Sequence, residues 1–67
     1  MAEELKLTER EREVMTHVAT GVPYKVVASK LNISEKGVMG ALNHAKIRNC
    51  CNSVLVLMLQ AARQGVV

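Results

Sequence analysis

Aromatic residues are almost absent from this chain of 67 residues. It contains no Trp and no Phe, and Tyr24 is its one aromatic side chain. Proteins that bind RNA or single-stranded DNA usually stack several bases on aromatic rings. One Tyr cannot supply such a surface, so the composition argues against both activities. The remaining apolar side chains are nearly all aliphatic, which suits a core of packed helices.

Cysteine is also scarce, and the two Cys residues, Cys50 and Cys51, are adjacent. Neighbouring residues cannot form an ordinary disulfide without severe backbone strain. They lack the spacing of a zinc site, and His17 and His44 add no metal-binding pattern. We therefore expect two small buried thiols in a reducing compartment rather than a redox switch, and no metal or cofactor.

Groups that commonly carry catalysis are missing as well. The chain has no Ser/His/Asp or Cys/His set with identifiable partners, no Gly-rich phosphate loop and no paired carboxylates. Its early acidic residues are better explained by helix capping. The sequence therefore predicts a protein that is not an enzyme.

Long apolar runs are absent too. Glu3, Glu4 and Lys6 interrupt any signal peptide at the start, and the longest apolar stretch, Val54 to Leu59, is too short to cross a bilayer. The length predicts a single domain over residues 1–67, with a core so small that the chain is marginally stable or depends on a partner. We expect a cytoplasmic protein.

Charge is unevenly distributed along the chain. Residues 1–13 hold five Glu against three basic residues, a net −2, whereas residues 14–67 hold six basic residues against one Glu, a net +5. An acidic start and a basic remainder indicate a polyanionic partner approached from one side. The alternative is that the Lys residues serve only to keep the surface solvated.

Residues 7–14, LTEREREV, have the pattern of a helix start. Thr8 is a good N-cap, and Glu11, three residues later, completes a capping box. Gly21 is suited to ending this first helix, and Pro23 to the first turn of the next.

A helix-turn-helix follows within a few residues. The second helix is predicted over about 24–31, Asn32 is suited to a left-handed turn, Ile33 fills the core, and Ser34 caps a third helix at about 35–48. So short a turn makes the two helices cross steeply and leaves the third able to enter a DNA groove. Residues 7–48 thus form a tri-helical core.

A fourth helix is predicted over 53–64, capped by Ser53 or Asn52 and stopped by Gly65. It is apolar almost all round, so it must be buried on more than one side. In so small a domain the second side is better explained by another subunit than by the chain's own core, and we expect a homodimer rather than a monomer. The predicted interface residues are Val54, Leu57, Met58 and Ala61.

The chain resembles the C-terminal DNA-binding domain of LuxR/GerE-type transcription regulators over roughly residues 7–66. The motifs concerned are the family's opening Leu-Thr/Ser-x-Arg-Glu-x-Glu-Val-Leu run, its Ala-x-Gly, its Asn-Lys-Glu-Ile-Ala segment and its Leu-x-Ile-Ser-x-x-Thr-Val turn. They are matched by Leu7, Thr8, Arg10, Glu11, Glu13, Val14, Met15, Ala19, Gly21, Lys25, Val27, Ala28, Leu31, Ile33, Ser34 and Val38. The resemblance implies an all-α, four-helix helix-turn-helix domain of the LuxR C-terminal type.

The departures from this pattern fall in the third helix. Where the family carries Thr, then Lys or Arg, then His, this chain has Gly37, Met39 and Ala41, with Gly40 between. Each Gly costs about 1 kcal/mol relative to Ala in a helix interior. The stretch from Lys46 to Cys51 also replaces the family's usual Lys-Leu-Gly turn.

The expected function is sequence-specific binding of double-stranded DNA by a dimeric, nucleoid-associated transcription regulator, with the third helix in the major groove. Lys25 and Ser34 are candidates for phosphate contacts, and Asn43 is the standard geometric partner of adenine. The full set of candidate DNA-binding residues is Lys25, Ser34, Lys36, Val38, Asn43, His44, Lys46 and Arg48. The alternative is a protein-docking module that controls another regulator or RNA polymerase, similar to region 4 of a sigma factor.

Overall fold

Four helices make up the described part of the chain, residues 4–67, in the computed structural model. They are α1 (Glu9–Ala19), α2 (Tyr24–Leu31), α3 (Glu35–Arg48) and α4 (Val54–Arg63), and no strand occurs among these residues. The all-α prediction is confirmed, and each helix lies within about one or two residues of its expected place. Residues 1–3 of the predicted 1–67 domain lie outside the described residues.

Three of the helices have an N-cap residue with a hydroxyl side chain. The Oγ1 of Thr8 accepts from the N–H of Glu11 at 3.1 Å while the carboxylate of Glu11 accepts from the N–H of Thr8 at 2.9 Å, which confirms the predicted capping box. The hydroxyl oxygens of Ser34 and Ser53 likewise accept hydrogen bonds from backbone N–H groups in the first turns of α3 and α4. The prediction for Pro23 was off by one residue, since Pro23 precedes α2 as its N-cap.

Left-handed residues follow all four helices: Gly21 (φ 86°), Asn32 (φ 57°), Cys50 (φ 55°) and Gly65 (φ 73°). At each one, its N–H and that of the next residue donate to carbonyl groups of the preceding turn. These two hydrogen bonds satisfy carbonyl groups at the end of each helix. Gly is the usual residue in the left-handed position because a β-carbon is strained in that backbone conformation. Cys50 is the one residue of these four that is neither Gly nor Asn.

Helix α3 is the centre of the fold, because it packs against each of the other three helices. The buried apolar side chains come from every helix, and α3 contributes the most. They are Val14, Met15, Val27, Ala28, Val38, Leu42, Ala45, Leu57 and Ala61. This core fixes the rotation of α3 about its own axis and so determines which of its side chains face outward.

The predicted interface on α4 was wrong for two of its four residues. Leu57 and Ala61 are fully buried in the chain's own core, and Val54 and Met58 are half-buried beside it. The apolar side chains that face outward are Leu55, which is 69% exposed, and Leu59, which is 54% exposed. A helix that is apolar all round gave no periodic pattern from which its inner face could be chosen.

The two cysteines also differ from expectation. Cys51 is half-buried against the core, but Cys50 is exposed, so the prediction of two buried thiols was wrong for Cys50. The reason is the left-handed turn, which carries Cys50 beyond the end of α3 and away from the packed faces.

Candidate nucleic-acid interface

A buried carboxylate joins the start of α1 to the end of α3. Glu11 is almost fully buried, and its carboxylate accepts from the backbone N–H of Thr8 and from Nη1 of Arg48. Burial by itself would raise the pKa of Glu11, but these hydrogen bonds and the Arg48 charge outweigh it and hold the pKa below its ordinary value. The pair therefore ties the last turn of α3 to α1.

Two further polar contacts hold the framework around α3. Nη1 of Arg10 donates to the carbonyl of Leu31 at 3.1 Å, which joins α1 to the end of α2. Asn49 makes a two-way amide pair with the backbone of Lys6, with distances of 2.6 and 3.0 Å. The Arg10 bond satisfies a carbonyl group at the end of α2, and the Asn49 bonds satisfy the backbone of the segment before α1. Together they position α3 relative to the rest of the chain.

The outward face of α3 is formed by Lys36, Gly40, Asn43 and Ile47, and we refer to these four residues as the outer ridge. They recur at helical spacing and lie opposite the buried positions of the same helix. The side chains of Lys36 and Asn43 are exposed and make no hydrogen bond or ion pair with any other described residue. Ile47 is 69% exposed.

Gly40, in the middle of the outer ridge, has no packing partner. A β-carbon built there would meet nothing within 4 Å, whereas one at Gly37 would come into ordinary contact with Ser34 and Ile33. Gly40 is also a helix-interior residue with no positive φ. Nothing within the described chain requires a glycine at this position.

An apolar recess borders the outer ridge on one side. It has a volume of about 190 Å³ and is lined by Tyr24, Met39, Leu42, Asn43 and Val54. Met39 is 44% exposed, so its thioether chain is accessible from solvent beside the Asn43 amide. The outer ridge and this recess together present both polar and apolar groups at one surface.

Comparison with known proteins identifies the kind of domain. The family model described as bacterial regulatory proteins, luxR family, matches residues 5–45. The chain belongs to the luxR family. No curated protein matches the chain, and no solved structure matches it either.

Membership of the luxR family confirms the resemblance carried by the sequence motifs. It makes this helix-turn-helix domain a DNA-binding domain of a transcription regulator. The matched residues comprise α1, α2 and most of α3, and they end before the last turn of α3 and all of α4. The match therefore includes Lys36, Gly40 and Asn43 of the outer ridge.

The candidate DNA-binding residues of this luxR-family domain do not all share one surface. Lys36 and Asn43 lie on the outer ridge, His44 and the half-buried Lys46 lie on either side of it, and Lys25 is exposed at the start of α2. The prediction that Val38 contacts DNA was wrong, because its side chain is fully buried in the core and cannot contact a ligand.

Two other candidates have structural roles that limit their availability. The hydroxyl of Ser34 accepts from the N–H of Gly37 at 2.9 Å as the cap of α3, although its own proton is free to be donated. The side chain of Arg48 is 39% exposed, and Nη1 of its guanidinium is held by Glu11. Its charge is balanced locally by that carboxylate.

Sequence reasoning missed Ile47 as a residue of the outer ridge. The signal was present, since Ile47 follows Asn43 by four residues and Lys36 by eleven, which places all three on one side of a helix. An isoleucine at the end of an amphipathic helix is more readily assigned to the core, and only the packing of α3 shows that it faces outward.

Two features are absent from residues 4–67, a cluster of metal ligands and a membrane-spanning helix. No three His, Cys, Asp or Glu side chains of this part of the chain come close enough to hold a metal ion. None of its helices combines the length and the hydropathy that a membrane crossing requires.

Proposed function

We propose that this luxR-family domain binds double-stranded DNA sequence-specifically, with α3 in the major groove. The observation that carries the proposal is the division of α3 into a face fixed by the core and an outer ridge whose polar side chains have no partner among the described residues. A helix with its side chains is about 10–12 Å across. The major groove is about 12 Å wide and admits such a helix.

Phosphate contacts would come from residues around the outer ridge. Lys25 at the start of α2 is an exposed cation, Lys46 on one flank of α3 is a half-buried one, and His44 is exposed on the opposite flank of α3. The Ser34 hydroxyl and the free N–H groups of the first turn of α3 suit a further phosphate. Arg48 contributes through the part of its guanidinium that Glu11 leaves free. The net charge of +5 over residues 14–67 favours association with a polyanion.

A titration across salt concentration tests the proposal. Fluorescence anisotropy with a labelled duplex should show affinity falling steeply with salt, because each neutralised phosphate releases a counterion. Lys36→Gln should weaken binding and reduce the salt slope by about one. Arg12→Gln is the matched control, because Arg12 is equally exposed but lies on α1 between acidic residues. Flat, negligible binding to every duplex would contradict the proposal.

Dimerisation through α4 is the second part of the proposal. Leu55 and Leu59 lie on its outward face at a spacing of four residues, with Ala62 exposed one turn further on. Val54 and Met58 border this stripe, whereas Leu57 and Ala61 support it from inside. A dimer would place two copies of α3 on half-sites about 34 Å apart, one helical turn of DNA.

Sedimentation mass tests the dimer without disturbing the core. Leu55→Glu should convert the protein to a monomer while leaving its helical circular dichroism unchanged, because Leu55 is 69% exposed. Lys30→Gln, on the exposed face of α2, is the charge-matched control, because it also lowers the net charge by one. An unchanged mass for the Leu55→Glu protein would show that α4 does not form the interface. Leu57→Glu is unsuitable, since it would place a charge in the core.

The alternative is a domain that docks on another regulator or on RNA polymerase, as region 4 of a sigma factor does. One observation favours it: Met39 and Ile47 expose apolar surface on α3 where a protein partner could cover it. Negligible duplex binding in the titration would favour this protein partner. The expected location at the nucleoid belongs to the DNA-binding proposal and stands or falls with it.

A further inference from the structure

The glycine in the outer ridge requires an explanation from outside the chain. Gly40 lies inside a 14-residue helix, where Gly is less favourable than Ala, and a β-carbon there would meet nothing within 4 Å. The fold would therefore gain from Ala at this position. A partner that approaches the backbone of α3 closely at Gly40 accounts for the absence of a side chain.

Asn43 lies one turn beyond Gly40 on the same face. Its amide is exposed and has no hydrogen-bond partner among residues 4–67, so both its donor and its acceptor are available. In the major groove, adenine presents an N7 acceptor beside an N6 donor, and an Asn amide bonds to both at once. Close approach at Gly40 would bring this amide within reach of a base edge.

Two apolar side chains flank the amide. Met39 borders the recess beside Asn43, and Ile47 lies one turn further along the outer ridge. Thymine is the one base with a methyl group in the major groove, and apolar side chains recognise it by covering that methyl. An amide next to apolar surface therefore matches the two halves of an A·T pair.

The helix offers little to a guanine. Arginine and lysine are the commonest readers of guanine, because their N–H groups match O6 and N7, and neither residue lies at the centre of the outer ridge. Arg48 is the one arginine of α3, and its Nη1 is bound to Glu11 on the side that faces α1. Lys36 is the cation on the outer ridge, and its position in the first turn suits the entrance of the groove.

We infer that the outer ridge selects A·T base pairs, with Asn43 contacting adenine and Met39 and Ile47 covering thymine methyl groups. The inference rests on the proposed function, because it names the base pairs that the proposed groove contact would select. Gly40 sets the distance of approach, and the Arg48–Glu11 pair withdraws the side chain best suited to guanine.

Selection of bound sequences from a pool of random duplexes tests the inference with the full chain. The expected result is enrichment of A·T pairs at the centre of each selected half-site. Enrichment of G·C pairs there would overturn the inference and leave the proposed function intact. Salt-dependent binding with no positional preference would overturn the inference together with the sequence specificity of the proposed function, and would leave only duplex binding. Failure to recover any duplex would overturn both.

Defined duplexes then assign the contacts. Replacing thymine by uracil at a selected position removes only the methyl and should weaken binding about three- to fivefold. That discrimination should disappear in the Met39→Ala or the Ile47→Ala protein, and its persistence in both would overturn the assignment of the methyl contact. Asn43→Ala should lose at least about fivefold in affinity for the selected site but little for a duplex in which that A·T pair is exchanged.

Gly40→Ala separates recognition from folding. Its thermal unfolding midpoint should rise by about 4–8 °C, because Ala favours the helix and meets no neighbour. Its affinity for the selected duplex should nevertheless fall. If the Gly40→Ala protein is more stable and binds as tightly as wild type, then the DNA does not approach the backbone closely at Gly40, and the proposal is overturned.

Discussion

The start of α1 and the outer ridge of α3 use their polar side chains in opposite ways. In residues 7–14, Thr8, Arg10 and Glu11 each bond within the chain, to a backbone group or to an ion-pair partner. On the outer ridge, the side chains of Lys36 and Asn43 bond to no other described residue. The residues that match the luxR family most closely are thus those that hold the helices together. Of the departures from the family pattern, Met39 lies beside the outer ridge. Ala41 instead packs against the core, and Gly37 faces Ser34 and Ile33.

Adjacent substitutions in α3 should show the sharpest contrast between these two roles. Leu42→Ala should reduce the free energy of unfolding by about 2–5 kcal/mol, because it leaves a cavity in the buried face. That is most of the stability available to so small a domain. Asn43→Ala, one residue later, should change it by less than about 0.5 kcal/mol. Urea unfolding followed by circular dichroism measures both, and equal losses would contradict the division of α3 into two faces.

Removal of the Glu11 charge should have the next largest effect. Glu11→Gln keeps the shape of the side chain but removes its charge, so the bond from the Thr8 N–H becomes neutral and the ion pair with Arg48 is lost. These changes should cost about 1–2 kcal/mol of unfolding free energy. Glu9→Gln is the matched control, because Glu9 is exposed in the same first turn and should lose only about 0.3–1 kcal/mol. Equal losses for the two variants would mean that the buried network adds nothing beyond the helix dipole.

The pH dependence of stability should report the same carboxylate. The pKa of Glu11 is lower in the folded chain than its ordinary value of 4.5, so its contribution to stability is present above that value. As the pH falls below it and through the folded pKa, protonation of Glu11 removes the contribution. The difference in unfolding free energy between wild type and Glu11→Gln should therefore be constant at neutral pH and shrink in acid. A difference that grows in acid would reverse the sign of this argument.

The turn at Cys50 should give the smallest effect, and in the stabilising direction. Cys50 has a left-handed backbone, where a β-carbon is strained by about 1–2 kcal/mol and Gly is not. Cys50→Gly should raise the free energy of unfolding by about 0.5–1 kcal/mol after the greater chain entropy of Gly is subtracted. Cys50→Ser keeps the β-carbon and should bring no gain. If Ser stabilised the protein as much as Gly, the thiol rather than the backbone would be responsible.

The local features of the fold could be predicted from the sequence because each depends on neighbouring residues. The Thr8–Glu11 capping box, the left-handed Asn32 and the Ser34 cap all lie within three or four residues of the groups they satisfy. Their positions in the chain were therefore enough to place α1, α2 and α3. Motif order then gave the family, which the comparison confirmed.

The direction in which each helix face points, and the ion pairs between residues far apart in the sequence, could not be predicted in the same way. The Arg48–Glu11 pair joins residues 37 positions apart, and no local pattern announces it. The inner face of α4 was ambiguous because nearly every side chain in it is apolar, so Leu57 and Ala61 were assigned to the wrong surface. Cys50 took a left-handed conformation without the Gly or Asn that usually indicates one.

The division of α3 into an inner and an outer face also has a consequence for how such a domain changes over time. Positions 36, 40, 43 and 47 carry no part of the buried core, so new side chains can enter there one at a time without a loss of fold. The inner positions of the same helix tolerate almost none, because every one of them is packed. Variants at these four positions can therefore differ in what the surface binds while remaining equally foldable.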